Sequence, residues 1–119
     1  MSDNPVLEPS AITNLRALSP DDPAFLQELI TIYLEDTPQR LGDIETALAH
    51  NDGPTLIRAA HTIKGSSGNF GAARFARLAL DIEAHGKAGD LTAAAAIVPG
   101  LKAEFAQVRA ALLLLTGGA

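Results

Sequence analysis

Leu91, Ala94, Val98, Leu101, Phe105, Val108, Leu112 and Leu115 follow one another at intervals of three and four residues without a miss. That alternation puts all eight side chains on one stripe of an α-helix. So regular a stripe has to be covered, either by other helices of the same chain or by a second copy in a coiled coil. The rest of the sequence offers three covers. Leu26, Ile30, Leu41, Ile44 and Leu48 form a second stripe, in which Thr37 fills the gap and Phe25, Leu29, Ile32 and Tyr33 widen the start. Leu56, Ala59, Ile63 and Phe70 form a third, and Phe75, Leu78, Ala79 and Ile82 a fourth. Only short turns separate these segments, and short connections make helices antiparallel neighbours. The expected fold is therefore all-α, an antiparallel up-down four-helix bundle with a short additional N-terminal helix.

The breaks fix the boundaries. Residues 1–9 hold two prolines and no periodicity and read as a flexible leader, leaving residues 10–116 as a single domain. Ser10 is placed to cap the short helix carrying Ala11, Ile12, Leu15 and Leu18. Ser19-Pro20-Asp21-Asp22-Pro23 restarts the chain, with Asp22 as N-cap and Pro23 at the first helical position. Pro38 removes the hydrogen bond to the Leu34 carbonyl, at a cost of about 3 kcal/mol. The stripe keeps its phase through Pro38, which favours one long kinked helix from Ala24 to about Asn51; a break near Glu35–Thr37 is the alternative. Asn51-Asp52-Gly53-Pro54 and His85-Gly86-Lys87-Ala88-Gly89 are turn sequences, and Asp90 caps the last helix. Pro99-Gly100 is expected to kink or split that helix. Leu113 and Leu114 fall off its stripe and are expected to pack with the short first helix.

Composition narrows the function. The chain has 119 residues, enough for one core. Its formal charge of -5 argues against sequence-independent binding of nucleic acid, which needs a basic footprint. With no cysteine there is no disulfide, no thiol nucleophile and no cysteine-based zinc site. The polar start lacks a signal pattern, and no apolar run approaches a membrane span, so a cytoplasmic protein without a membrane association is expected; with the bundle closed inside one chain, a monomer is expected.

The chemistry concentrates in Ala60-His61-Thr62-Ile63-Lys64-Gly65-Ser66-Ser67-Gly68. On a helical wheel Ile57, Arg58, Lys64, Gly65 and Gly68 lie within about 60° of His61. Leu56, Ala59, Ile63 and Phe70 take the opposite side, the only face wide enough to enter a core. His61 therefore points to solvent. Imidazole titrates at about 6.5 when unperturbed, so a histidine can present a neutral nitrogen nucleophile at cellular pH. Lys64, one turn on, is placed to stabilise phosphoryl oxygens. Gly65 and Gly68 each cost about 1 kcal/mol of helix stability relative to alanine. Two such costs on one exposed face fit a surface that another protein's backbone must approach, with Ile57 and Arg58 at its edge.

The run Ala60-His61-Thr62-Ile63-Lys64-Gly65-Ser66-Ser67, followed by Gly71-Ala72, resembles the signature of histidine-containing phosphotransfer (HPt) domains. Phe25-Leu26-Gln27-Glu28-Leu29, Leu34-Glu35-Asp36-Thr37-Pro38 and Ala47-Leu48 resemble that family's preceding long helix, and the likeness covers roughly residues 20 to 112. The resemblance implies that His61 is the phosphoacceptor, Lys64 the nearby cation and Gly65 the residue that leaves room for a partner. It also favours a continuous helix through Pro38. The implied partners are response-regulator receiver domains and a hybrid sensor histidine kinase. The implied role is a phosphorelay carrier rather than an enzyme, with no cofactor of its own and magnesium on the receiver. The outer imidazole nitrogen is the one implied to react.

Two other readings fit the same residues. The same fold can serve as a binding module that occupies a kinase or receiver without carrying phosphate, although such a module has no need of His61 and Lys64. The Leu91–Leu115 stripe can alternatively serve a structural, oligomerising bundle. His50 and His85 sit near helix ends, where imidazolium is mildly favourable, and no histidine pair has metal-ligand spacing. Glu35/Asp36 and Asp81/Glu83 read as solvated faces, and Arg74 and Arg77 as ordinary exposed helix residues, with a place at the border of the docking surface as the alternative.

Overall fold

The computed structural model describes residues 5–116. They form five helices and, among the described residues, no strand: α1 (Pro9–Ala17), α2 (Ala24–Ala49), α3 (Gly53–Asn69), α4 (Ala73–Lys87) and α5 (Leu91–Leu115).

The three turns that join α2 to α5 share one design. Each helix ends in a residue with left-handed backbone: Asn51 at φ 56°, Gly71 at φ 69° and Gly89 at φ 78°. The next N–H then reaches back across the last turn. Asp52 donates to the Ala47 carbonyl at 2.8 Å, Ala72 to Ser67 at 3.1 Å and Asp90 to His85 at 2.9 Å. This satisfies carbonyls that a helix end otherwise leaves without donors. Asp52 and Asp90 do double duty, because their carboxylates also accept the N–H groups of Thr55 at 3.2 Å and Ala93 at 3.0 Å. One residue thus closes one helix and caps the next. With so little chain to spare, each helix has to fold back on its predecessor.

Packing follows chain order. α3 lies against α2 and α4, α4 against α5, and α5 returns to α2, while α1 rests on α2. Ile30 and Ile44 of α2, Leu56 and Ile63 of α3, Phe75 and Ile82 of α4, and Leu101, Val108 and Leu112 of α5 are wholly or almost wholly buried. Each contributes about 1.5–3 kcal/mol by leaving water. Phe75 and Phe105 bring α4 onto α5 with ring centroids 5.5 Å apart, and Tyr33 meets Phe70 at 4.8 Å. Most of the α5 stripe is used inside the chain: Ala94, Leu101, Phe105, Val108 and Leu112 are buried and Leu91 and Val98 half-buried, while Leu115 at its end is exposed.

Several expectations shift. Both interior prolines are accommodated, Pro38 in α2 and Pro99 in α5, and neither helix breaks. Each proline is exposed, so water can reach the backbone on that side of the helix and serve the carbonyl left without a donor. α1 starts at Pro9 with Glu8 as its N-cap residue, so Ser10 lies inside the helix rather than capping it. Residues 5–9 are not loose: Val6 and Leu7 pack on the core, and Glu8 N–H donates to the Gly71 carbonyl at 2.9 Å. The rest of the expected leader, residues 1–4, lies outside the described residues. Asp22 does accept the N–H of Ala24 at 3.0 Å, but Pro23 precedes the first helical residue. Leu114 is 75 % exposed and Leu113 half-buried, so the first helix does not cover the pair; Leu18 is also exposed.

Candidate functional site

α3 turns His61 outward because its other faces are committed. Leu56, Ala59, Ala60, Ile63 and Ser67 are buried, and the stripe they form leaves the His61 side chain 65 % exposed. Ser67 enters the core because it has a partner there: its Oγ lies 2.6 Å from the Tyr33 hydroxyl of α2. Burial pushes the Tyr33 hydroxyl up to about 12, against hydrogen bonding to Ser67 and Thr37, which works the other way. A folded value above the unfolded one of about 10 favours the protonated, folded state below pH 10, and this stability is lost as pH rises toward 12. Tyr33 is the only tyrosine and there is no tryptophan, so phenolate absorbance reads it alone. The expected midpoint is about 12 in the folded protein and about 10 in urea; a midpoint near 10 in both would refute the buried Tyr33–Ser67 pair.

The residue that gives His61 its setting comes from the neighbouring helix. Glu83 of α4 is buried, with its side chain 5 % exposed, and its Oε2 lies 3.1 Å from His61 Nδ1. Lys64 Nζ is 3.2 Å from Oε1, and Lys87 Nζ is 3.2 Å from Oε2. Burial alone would raise the Glu83 carboxyl; the ammonium groups of Lys87 and Lys64 and the His61 ring beside it outweigh burial and hold the group below the ordinary carboxylate range. An ionised carboxylate only accepts, so it selects the tautomer with the proton on Nδ1 and leaves the Nε2 lone pair available. The expectation that Glu83 belongs to a solvated face is therefore wrong. Its wheel position is only about 40° from Ala79, by the 3.6-residue period, inside the stripe α4 buries. Asp81 does behave as expected, half-exposed and paired with Arg77 at 3.3 Å. Arg74 is less exposed than expected and reaches Glu104 of α5 at 3.1 Å.

Gly86 explains why the two helices come so close. A Cβ placed there would stand 3.0 Å from Ile57 Cγ1 and 3.4 Å from Leu56 Cδ2. The bare glycine lets Ile57 lie against α4, so Ile57 is half-buried rather than openly exposed, while Arg58 is exposed. Glu83 and Lys87 flank Gly86 by three residues and one, and the same approach brings the Glu83 carboxylate to His61. Gly65 and Gly68 differ: a Cβ at either would meet nothing within 4 Å. Packing inside the chain gives no reason for their lack of side chains. Among the described residues no three His, Cys, Asp or Glu side chains gather where they could hold a metal ion, and no helix is long and apolar enough to cross a membrane.

The site is an exposed histidine on a helix of an all-helical fold, its inner nitrogen held by a buried carboxylate that also pairs with two lysines. The Hpt domain family model matches residues 28–111, and the chain belongs to that family, the phosphotransfer carriers of phosphorelays. Among solved structures, it is similar to the crystal structure of histidine-containing phosphotransfer protein B (HptB) from Pseudomonas aeruginosa PAO1. The identity is 28 % and the TM-score 0.84, over 92 % of this chain and 93 % of that one. No curated protein matches the sequence significantly.

Proposed function

We propose that His61 accepts a phosphoryl group from the aspartate of a response-regulator receiver domain and donates it to another, on an antiparallel up-down four-helix bundle formed by α2 to α5 with α1 as a short addition. The observation that carries this reading is the His61–Glu83 contact at 3.1 Å beside a solvent-facing ring. The Nε2 lone pair attacks phosphorus in line with the bond to the aspartyl oxygen. An N–P bond forms, the P–O bond breaks, and its electron pair leaves on the aspartate carboxylate. The ring gains a positive charge while its proton stays on Nδ1, facing the Glu83 carboxylate, much as a buried aspartate steadies the histidine of a serine protease. Donation is the reverse.

Lys64 neutralises charge on the phosphoryl oxygens, where stabilisation by fixed charge dominates this chemistry. Ile57, Arg58, Gly65 and Gly68 form the docking face, with the two glycines admitting the partner's backbone. Magnesium belongs to the receiver, and a hybrid sensor histidine kinase is the upstream source. The carrier acts as a cytoplasmic monomer without ATP-binding machinery of its own. The buried α5 stripe weighs against an oligomerising role, since little of it is left to cover. The test is incubation with a phosphorylated receiver. Wild type is expected to gain acid-labile, base-stable label and His61→Gln none; no label on wild type, or equal label on both, would end the proposal.

A further inference from the structure

Two pairs of residues face each other across the gap between α3 and α4. Ile57 stands against Gly86, and His61 Nδ1 lies 3.1 Å from Glu83 Oε2. Ile57 and His61 are four residues apart on α3, and Glu83 and Gly86 three apart on α4, so each spacing puts its two members on one face. The pairs are therefore adjacent rungs of one antiparallel ladder, and a separation forced at one is felt at the next. Gly86 does not serve backbone freedom. It lies inside α4 with ordinary helical backbone, whereas the left-handed residue that closes this helix is Gly89, at φ 78°. Alanine is the better helix former at such a position, so what glycine supplies there is room.

We infer that Gly86 is a positioning residue for His61: the Cβ it lacks is what keeps the Glu83 carboxylate in reach of Nδ1. Its bearing on phosphoryl transfer rests on the carrier reading above. A Cβ at position 86 would stand 3.0 Å from Ile57 Cγ1, 3.4 Å from Leu56 Cδ2 and 3.8 Å from Ile57 Cδ1. Carbon atoms rest at about 3.5–4.0 Å from one another, so about half an ångström has to be found. Ile57 yields little of it by turning. A β-branched side chain in a helix is held to one χ1 rotamer, and Cγ1 then moves only with the backbone. The helices part instead. An opening of about half an ångström carries the 3.1 Å contact past the usual hydrogen-bond range, which ends at about 3.2 Å. The Nδ1 proton then loses its acceptor, and the tautomer with the proton on Nε2, which blocks the attacking lone pair, gains population.

The measurement uses the full chain, ¹⁵N-labelled, as wild type, Gly86→Ala and Gly86→Ala/Ile57→Ala, with His61→Gln to assign the ring. Imidazole ¹⁵N shifts of the unphosphorylated protein report the His61 tautomer, and label taken from a phosphorylated receiver reports transfer. Wild type is expected to hold the proton on Nδ1. Gly86→Ala is expected to stay folded in urea denaturation, to shift His61 toward the Nε2–H tautomer and to transfer about tenfold more slowly. The double variant removes Cγ1 and Cδ1 of Ile57 and leaves Leu56, at 3.4 Å, as the nearest neighbour of the new Cβ. It should return the ring to the wild-type tautomer; its transfer rate is no guide, because Ile57 also borders the docking face. An unchanged tautomer in Gly86→Ala, with or without slower transfer, overturns this inference while the carrier reading stands. A tautomer shift that persists in the double variant overturns it too. If wild type takes no label, the carrier reading fails, while the tautomer still decides the role of Gly86.

Discussion

Glu83→Gln is expected to lower the rate of phosphoryl transfer through His61 by about tenfold to a hundredfold while leaving the fold nearly as stable as before. The rate effect comes from the contact with Nδ1. A neutral amide still fits the space, but it no longer fixes the tautomer and no longer faces the imidazolium formed in transfer with a negative charge. A charge-assisted hydrogen bond of this kind is worth about 1.5–3 kcal/mol, which corresponds to that range of rates. The stability effect is small because Lys64 and Lys87 are partly exposed, and once released they are solvated by water; a change under about 1 kcal/mol is expected. Single-turnover transfer and urea denaturation measure the two sides. A rate within twofold of wild type would show that Glu83 organises ions rather than chemistry.

The second large effect concerns Gly65. Leucine there enters open space, since a Cβ meets nothing within 4 Å, and it replaces a poor helix former with a good one. Stability is expected to rise by about 0.7–1 kcal/mol, enough to raise the melting temperature by about 3–6 °C in a domain of this size. Transfer from a receiver should fall by at least about tenfold, because the new side chain stands on the approach to His61. A more stable protein that transfers worse is hard to explain by misfolding. It assigns the glycine to the partner. Unchanged transfer by Gly65→Leu would remove Gly65 from the docking face.

The sequence revealed what repeats or stands alone. The α5 stripe, the phase of α2 through Pro38 and the outward turn of His61 follow from three-and-four spacing. Lys64 and Gly65 follow from lying one turn away on the same helix. Glu83 was hidden for a different reason: it sits on another helix, and its meaning depends on how closely α3 and α4 approach. That distance is set by a missing side chain, Gly86 against Ile57. The wheel of α4 did hold a signal, a carboxylate inside a stripe otherwise made of Phe75, Ala79, Ile82 and Gly86. A buried acid needs a partner, and the exposed His61 and Lys64 were candidates. Residues 5–9 look loose in the sequence because Val6 and Leu7 are too few to show a period. They nevertheless pack on the core, and Gly71, whose Cβ would lie 2.7 Å from Glu8, leaves the room that these residues occupy.

The reacting nitrogen is the most direct point of test. In ¹⁵N-labelled protein phosphorylated by a receiver, ¹⁵N and ³¹P spectra distinguish the two ring nitrogens and identify the histidine that carries the group. A phosphoramidate at Nε2 of His61, with Nδ1 still protonated toward Glu83, is the expected result. A phosphoryl group at Nδ1, or on His50 or His85, would contradict it.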